Sequence, residues 1–276
     1  MSSSCSNSVS AGSSREAQMR ALVTGAGRRL GRAMALELAA QGYDVAVHYA
    51  SSAQEAEGTA AQIREMGCRS VALQADLLIE EEAAALLPRA AAALGGPVAC
   101  LVNNASVFEH DTLDSATRRS WDRHLNSNLR APFVLLQAMA AQEVPLEQDA
   151  GGEPRAWGLA VNMIDQRVRK LTPEFMSYTL AKSALWTLTQ TAAQALAPRI
   201  RVNAIGPGPT LQGPRQSAEQ FSRQRKATIL QRGADAGDIT AALSYLLQAK
   251  AVTGQMICVD GGQHLAWQTP DSDGLE

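Results

Sequence analysis

The chain is expected to fold as a single doubly wound α/β sheet, with about seven parallel strands and helices packed on both faces. Three observations predict this. Short apolar runs alternate with longer helical segments from residue 20 to residue 259. The runs are nearly continuous in Val, Ile, Leu and Ala, as in strands covered on both faces. The first run ends in a glycine turn that opens a helix, Gly25-Ala-Gly-Arg-Arg-Leu-Gly31.

The 276 residues, 46% hydrophobic and 19% charged, suit one large domain, expected over 19–268. The Ser-rich residues 1–18 are expected to be disordered, with 269–276 a short C-terminal tail. A net charge of -2 with interspersed signs offers no basic stripe for nucleic acid. The four cysteines are widely spaced and lack a Cys-x-x-Cys pair, so they read as reduced packing residues of a cytoplasmic protein, with no metal site. No apolar run reaches the ~18 residues that span a bilayer, and residues 1–17 lack the apolar segment of a secretory signal.

Residues 20–24 form the first expected strand and 33–41 the helix behind it. Between them, glycines let the backbone approach a pyrophosphate while the helix N-terminus supplies unbonded N–H groups. Gly25, Leu30 and Gly31 are therefore candidate cofactor contacts. The second strand, 44–49, ends in His48-Tyr-Ala-Ser-Ser52, where an NAD site usually carries an acidic residue and this chain has none. Arg28 and Arg29, with His48, Ser51 and Ser52 and with Tyr49 beside them, offer charge-assisted hydrogen bonds to a 2′-phosphate instead. NADPH is the expected cofactor.

A helix over 54–66 leads to a strand over 70–75 and to Asp76-Leu77. Asp76 could accept from an adenine amino group or bond its own turn. A helix over 80–94 leads to a strand over 98–102 and to Asn103-Asn-Ala-Ser106. Asn103 and Asn104 could brace the central strands or bond their own turn, and Asn104, Ala105 and Ser106 are candidate cofactor contacts. Residues 115–142 read as one long helix whose Asn126, Asn128 and Pro132 predict a local bend, and 143–155 as a surface loop.

The strand over 158–164 delivers Asp165 to its carboxyl end, where open α/β sheets place ligands. A helix to about residue 197, a strand over 200–205 and the rigid loop Gly206-Pro-Gly-Pro-Thr210 follow, with Pro207, Gly208 and Thr210 toward the cofactor. Residues 211–232 read as a mobile substrate flap carrying a short helix. A helix over 236–247 and a strand over 255–259 close the pattern. Within the helix after Asp165, Tyr178-Thr-Leu-Ala-Lys182 sets a phenol and an ammonium one turn apart. A free tyrosine ionises near pH ~10, so a fixed positive charge is the simplest way to make it a useful acid or base near neutrality.

Taken in order, Thr24-Gly-x-x-x-Arg-x-Gly31, Asn103-Asn-Ala-Ser106, Asn128, Tyr178-x-x-x-Lys182, Pro207-Gly208 and Asp260-Gly-Gly262 resemble the short-chain dehydrogenase/reductase family over 19–268. The resemblance implies a Rossmann fold, Tyr178 as proton donor, Lys182 holding the nicotinamide ribose and lowering the tyrosine pKa, and Asn128 ordering a water relay. Two departures narrow it. Arg29 replaces the middle glycine of the turn, and Asp165 stands where a catalytic serine is usual. With His48-Tyr49 and Phe108, these resemble the pteridine reductase and dihydromonapterin reductase branch, which reduces pterins and sometimes folates with NADPH. By that resemblance Asp165 positions Tyr178 and the substrate, Phe108 stacks on the pterin, and Arg29 approaches both pterin and cofactor phosphate. A homo-oligomer, tetramer or dimer, is expected.

Two other readings compete. A reductase of a ketone or 3-oxoacyl substrate is disfavoured by Asp165, because a carboxylate repels a developing oxyanion. A catalytically silent dinucleotide-binding protein is disfavoured because both Tyr178 and Lys182 are kept.

Overall fold

The computed structural model describes residues 18–144, 146–213 and 216–267. Apart from Gln18, the expected N- and C-terminal tails lie outside the described residues, as do positions 214 and 215 of the expected flap. Strands β1 (Arg20–Val23), β2 (Asp44–Tyr49), β3 (Ser70–Gln74) and β4 (Cys100–Asn103) alternate with helices α1 (Arg29–Ala40), α2 (Ala53–Glu65) and α3 (Glu80–Leu94). Helices α4 (Arg118–Leu125) and α5 (Ala131–Ala140) lead to a small antiparallel hairpin, β5 (Glu147–Gln148) and β6 (Pro154–Arg155), inside the segment expected to be plain loop. The chain continues through β7 (Gly158–Met163), α6 (Met176–Leu196), β8 (Ile200–Pro207), α7 (Ala218–Lys226), α8 (Ala236–Gln248) and β9 (Met256–Val259).

Seven strands form one parallel sheet in the order β3-β2-β1-β4-β7-β8-β9. Successive side chains of a strand point to opposite faces, so the core divides in two. Val23, Val45 and Val47 pack with Met34 and Leu38 of α1, Ile63 of α2 and Leu243 of α8. Leu22 and Ala46 face the other way, toward Leu86 of α3, Leu135 of α5 and Ala192 of α6. Each fully buried leucine contributes about 1.5–3 kcal/mol relative to exposure. Because the order reverses beside β1, a crevice opens at the carboxyl ends of β1 and β4.

Polar side chains clamp that crevice, as expected for the paired asparagines. Asn103 sits opposite Asn162 of β7 and donates to its Oδ1 at 2.8 Å, and Asn162 donates to Thr189 of α6 at 2.9 Å. Asn104 donates to the carbonyls of Thr24 and Gly25 at 2.8 and 3.2 Å. The long helix expected over 115–142 is instead α4, one wide π-helical turn over Asn126–Arg130, and α5. The Ala131 N–H bonds the Asn126 carbonyl five residues back. Pro132 is the physical cause, since it lacks the N–H that an α-helix would aim at the Asn128 carbonyl.

Candidate active site

The glycine turn is held from below. Gly25 has φ 63°, and its N–H donates to His48 Nδ1 at 3.0 Å. A Cβ at Gly31 would collide with the Gly25 carbonyl, so the closeness of turn and helix demands glycine there. Helix α1 begins without a side-chain cap and without an acidic residue in its first turn, leaving its N–H groups open to an anion.

Among the residues expected to hold a 2′-phosphate, His48 requires correction. Its Nε2 donates to the Ala75 carbonyl at 3.0 Å, its ring is 1% exposed, and burial lowers its pKa to about 4. A neutral ring with both nitrogens engaged gives no charge to a phosphate; it supports the turn. Arg28 pairs with Glu55, and Arg29, at φ 53°, donates to the Gln212 and Leu211 carbonyls at 2.8 and 3.0 Å. Tyr49 packs half-buried on the core, while Ser51 is exposed and Ser52 lies beside Gly27. Asp76 accepts from Leu78 N–H at 3.0 Å, the self-bonded turn, and the Leu77 side chain is buried in the core, leaving only its backbone for a ligand. Ala105 is partly buried, and its N–H bonds Thr24 Oγ1 at 2.9 Å.

The remaining expected residues, Asn128 apart, meet at one cavity of about 850 Å³. Arg29, Leu30, Asn104, Ser106, Pro207, Gly208 and Thr210 line it together with Phe108, Asp165, Tyr178 and Lys182. Tyr178 Oη donates to Asp165 Oδ2 at 3.0 Å, and Asp165 Oδ1 accepts from the Arg167 N–H at 2.8 Å. Burial raises the Asp165 pKa, against the pull of the Arg167 N–H and guanidinium. Lys182 Nζ donates to the Met163 carbonyl at 2.7 Å and lies 5.8 Å from the Tyr178 ring centre.

The net shift at Tyr178 runs upward, opposite to the lowering expected from Lys182. Burial, then the Asp165 charge and its hydrogen bond, raise Tyr178 well above its ordinary value, while burial lowers Lys182 to about 8. Within this protein chain the phenol stays protonated at neutral pH, which suits a proton donor and not a base.

Phe108 stands half-exposed at the mouth, stacked on Phe175 with ring centres 4.3 Å apart and planes at 6°. Its edge meets Tyr178 at 4.7 Å. Asn128 in the π-helical turn holds this segment, accepting from Val107 N–H at 3.0 Å and donating to Val107 O at 2.8 Å. Its side chain therefore braces the Phe108 segment and does not line the cavity.

A family described as Enoyl-(Acyl carrier protein) reductase matches residues 25–264. The 3-oxoacyl-[acyl-carrier-protein] reductase FabG of Staphylococcus epidermidis is 33% identical over 250 residues, 89% of this chain and 98% of that protein.

The chain belongs to the short-chain dehydrogenase/reductase family.

Among solved structures of this family, FolM alternative dihydrofolate reductase 1 from Brucella suis in complex with NADP is 46% identical, with TM-score 0.84, covering 92% of this chain and 98% of that one. The Brucella canis FolM complex with NADP is 45% identical, with TM-score 0.85, covering 92% and 97%. Sequence reasoning missed two members of this reductase's site. Phe175 is one of only four phenylalanines and lies three residues before Tyr178, which was a usable signal. Arg167 lines the cavity with its guanidinium 5.0 Å from the Phe175 ring centre and a buried Nε without a hydrogen-bond partner.

Proposed function

We propose that the protein is an NADPH-dependent reductase of a pterin, a dihydropteridine such as dihydrobiopterin or dihydromonapterin or else dihydrofolate, with Tyr178 as the proton donor. The observation that carries this reading is the bond from Tyr178 to the Asp165 carboxylate beneath an aromatic face, Phe108, at the carboxyl edge of the sheet. The NADP complexes of the two FolM relatives support it.

The residues present fit NADPH. The uncapped, acid-free start of α1 and the close Gly25–Gly31 approach suit a pyrophosphate, Arg28 and Arg29 lie beside it for a 2′-phosphate, and Lys182 reaches the cavity as a ribose ligand. When bound there, the cofactor supplies the hydride. Phe108 offers a flat face that sets the substrate ring against the nicotinamide. Asp165 accepts from the amino-bearing edge of the ring and aligns the Tyr178 hydroxyl, which swings from Asp165 to give its proton to the ring nitrogen of the C=N bond under reduction. Lys182 stabilises the phenolate left behind until solvent returns the proton. Arg167 Nε, unpartnered at the wall, is a donor for an anionic substituent such as a folate tail.

Reduction of a 3-oxoacyl substrate is the second reading, favoured by the FabG relative. Incubating the protein with NADPH and, in parallel, dihydrobiopterin, dihydrofolate and a 3-oxoacyl thioester tests both by loss of nicotinamide absorbance. Turnover of the thioester with no reduction of either pterin would overturn the proposal. The reading places a homo-oligomer in the cytoplasm, where Cys68, Cys100 and Cys258 stay free thiols.

A further inference from the structure

Beside the cavity lies a buried polar chain with no place in the chemistry above. Asp111, His124 and Ser177 are 2%, 0% and 0% exposed. The Ser177 hydroxyl donates to Asp111 Oδ2, and the Ser177 N–H donates to Asp111 Oδ1 at 3.1 Å. His124 Nδ1 lies 2.7 Å from the Ser177 oxygen, and Glu109 N–H donates to His124 Nε2 at 3.0 Å. Since the serine proton is given to Asp111 and Nε2 receives a proton, the ring must carry its own hydrogen on Nδ1 and point it at Ser177.

The chain ties together the two segments whose alignment the reaction needs. Asp111 and Glu109 belong to the loop bearing Phe108; Ser177 immediately precedes Tyr178; His124 reaches both from α4 and meets the Tyr178 ring edge-on at 6.0 Å. Helix α6 has no side-chain cap of its own, for its N-cap residue is Phe175, at φ 57°. Asp111 supplies the cap from the Phe108 loop, its carbonyl taking Met176 N–H at 3.1 Å and its carboxylate taking Ser177 N–H.

We propose that Asp111, Ser177 and His124 are positioning residues that set the Tyr178 hydroxyl and the Phe108 face relative to one another, with neutral His124 as the clasp. The proposal rests on Tyr178 as proton donor and not on the identity of the substrate. Burial holds His124 below its ordinary pKa, although Asp111 pulls it up. The groups facing the ring are Asp111 and Glu109 of the loop, Arg123 of its own helix and Tyr178 of α6. The neutral ring is the form that fits. A second proton on Nε2 would confront the Glu109 N–H donor with another donor, releasing the loop, so substrate affinity should fall in acid.

The test compares wild type with Ser177→Ala and His124→Asn on whichever of dihydrobiopterin, dihydrofolate and a 3-oxoacyl thioester the wild type reduces. NADPH binding, followed by fluorescence, reports that each variant is folded. Expected are a kcat at least tenfold lower and a raised substrate KM, with NADPH Kd within twofold, and loss in His124→Asn of the wild-type rise in KM as pH falls below the ordinary histidine range. Values of kcat and KM within twofold of wild type, or an unchanged acid limb in His124→Asn, would overturn the proposal. If Ser177→Ala does not fold, Asp111→Asn is read in its place. If the wild type reduces none of the three, the proton-donor reading fails on its own. Amide exchange then decides the positioning: exchange at Glu109 and Ser177 at least tenfold faster in His124→Phe supports it, and unchanged exchange refutes it.

Discussion

The Tyr178 hydroxyl donates to Asp165 Oδ2 at 3.0 Å, while the Lys182 ammonium one turn away is bonded to the Met163 carbonyl. Burial first, and then the Asp165 charge and hydrogen bond, raise the phenol well above its ordinary pKa, so the proton stays in place until a substrate competes for it. Tyr178→Phe removes only that proton and one hydrogen bond. It should fold and bind NADPH normally yet lose about 10²-fold or more in kcat, the scale of general acid catalysis, as single-turnover absorbance would show. Activity near wild type would place the acid elsewhere.

On the proposed reading, cofactor choice turns on the two arginines of the glycine turn. Arg28→Ala should weaken NADPH by roughly one to two orders of magnitude, the equivalent of about 1.5–3 kcal/mol for a charge-assisted contact, and leave NADH affinity nearly unchanged. Arg29→Ala should do the same and also raise substrate KM, since it releases the Leu211 and Gln212 carbonyls. Titrations with both nucleotides check this, and equal efficiency of wild type with NADH and NADPH would refute it.

The substrate reading depends on a face and a carboxylate. Phe108→Ala should lower kcat/KM for a dihydropterin by more than tenfold with little effect on NADPH affinity, combining lost burial with about 0.5–1.5 kcal/mol of ring stacking. Asp165→Ser should abolish pterin reduction. Steady-state kinetics that leave pterin turnover intact in Asp165→Ser would remove the basis for the assignment.

Acid stability tests the buried histidine under the glycine turn. The His48 pKa falls from 6.5 to about 4 in the folded chain, so the unfolded chain binds more protons between these values. Its contribution is complete above pH 6.5 and is lost as pH falls toward 4, by up to about 3 kcal/mol. Melting temperatures from pH 7 to pH 4 should fall more steeply for wild type than for His48→Asn, and parallel curves would show that His48 contributes nothing.

Much of this arrangement was legible because it is local. The Gly25–Gly31 turn, the Asp165 strand end and the Tyr178–Lys182 spacing each announce themselves within a few residues, and Pro132 marks the helix irregularity by its missing N–H. His48 was misread because its position suggested a ligand while its burial, a property of three neighbouring strands, made it a support. Asp111 and Ser177 stand 66 positions apart, and nothing in either neighbourhood signals the other. Phe175 escaped for a different reason: its role depends on a left-handed backbone that its residue type does not favour.

The Phe108 and Phe175 rings, 4.3 Å between centres, leave no room for a third ring between them. A flat ligand on that face of Phe108 must evict Phe175 rather than slip in beside it. Eviction is nearly neutral for an aromatic guest, which restores the contact it breaks, but an aliphatic chain forfeits the quadrupolar part of it. On the proposed reading, selectivity at this mouth would arise from what the visitor displaces as much as from what it touches.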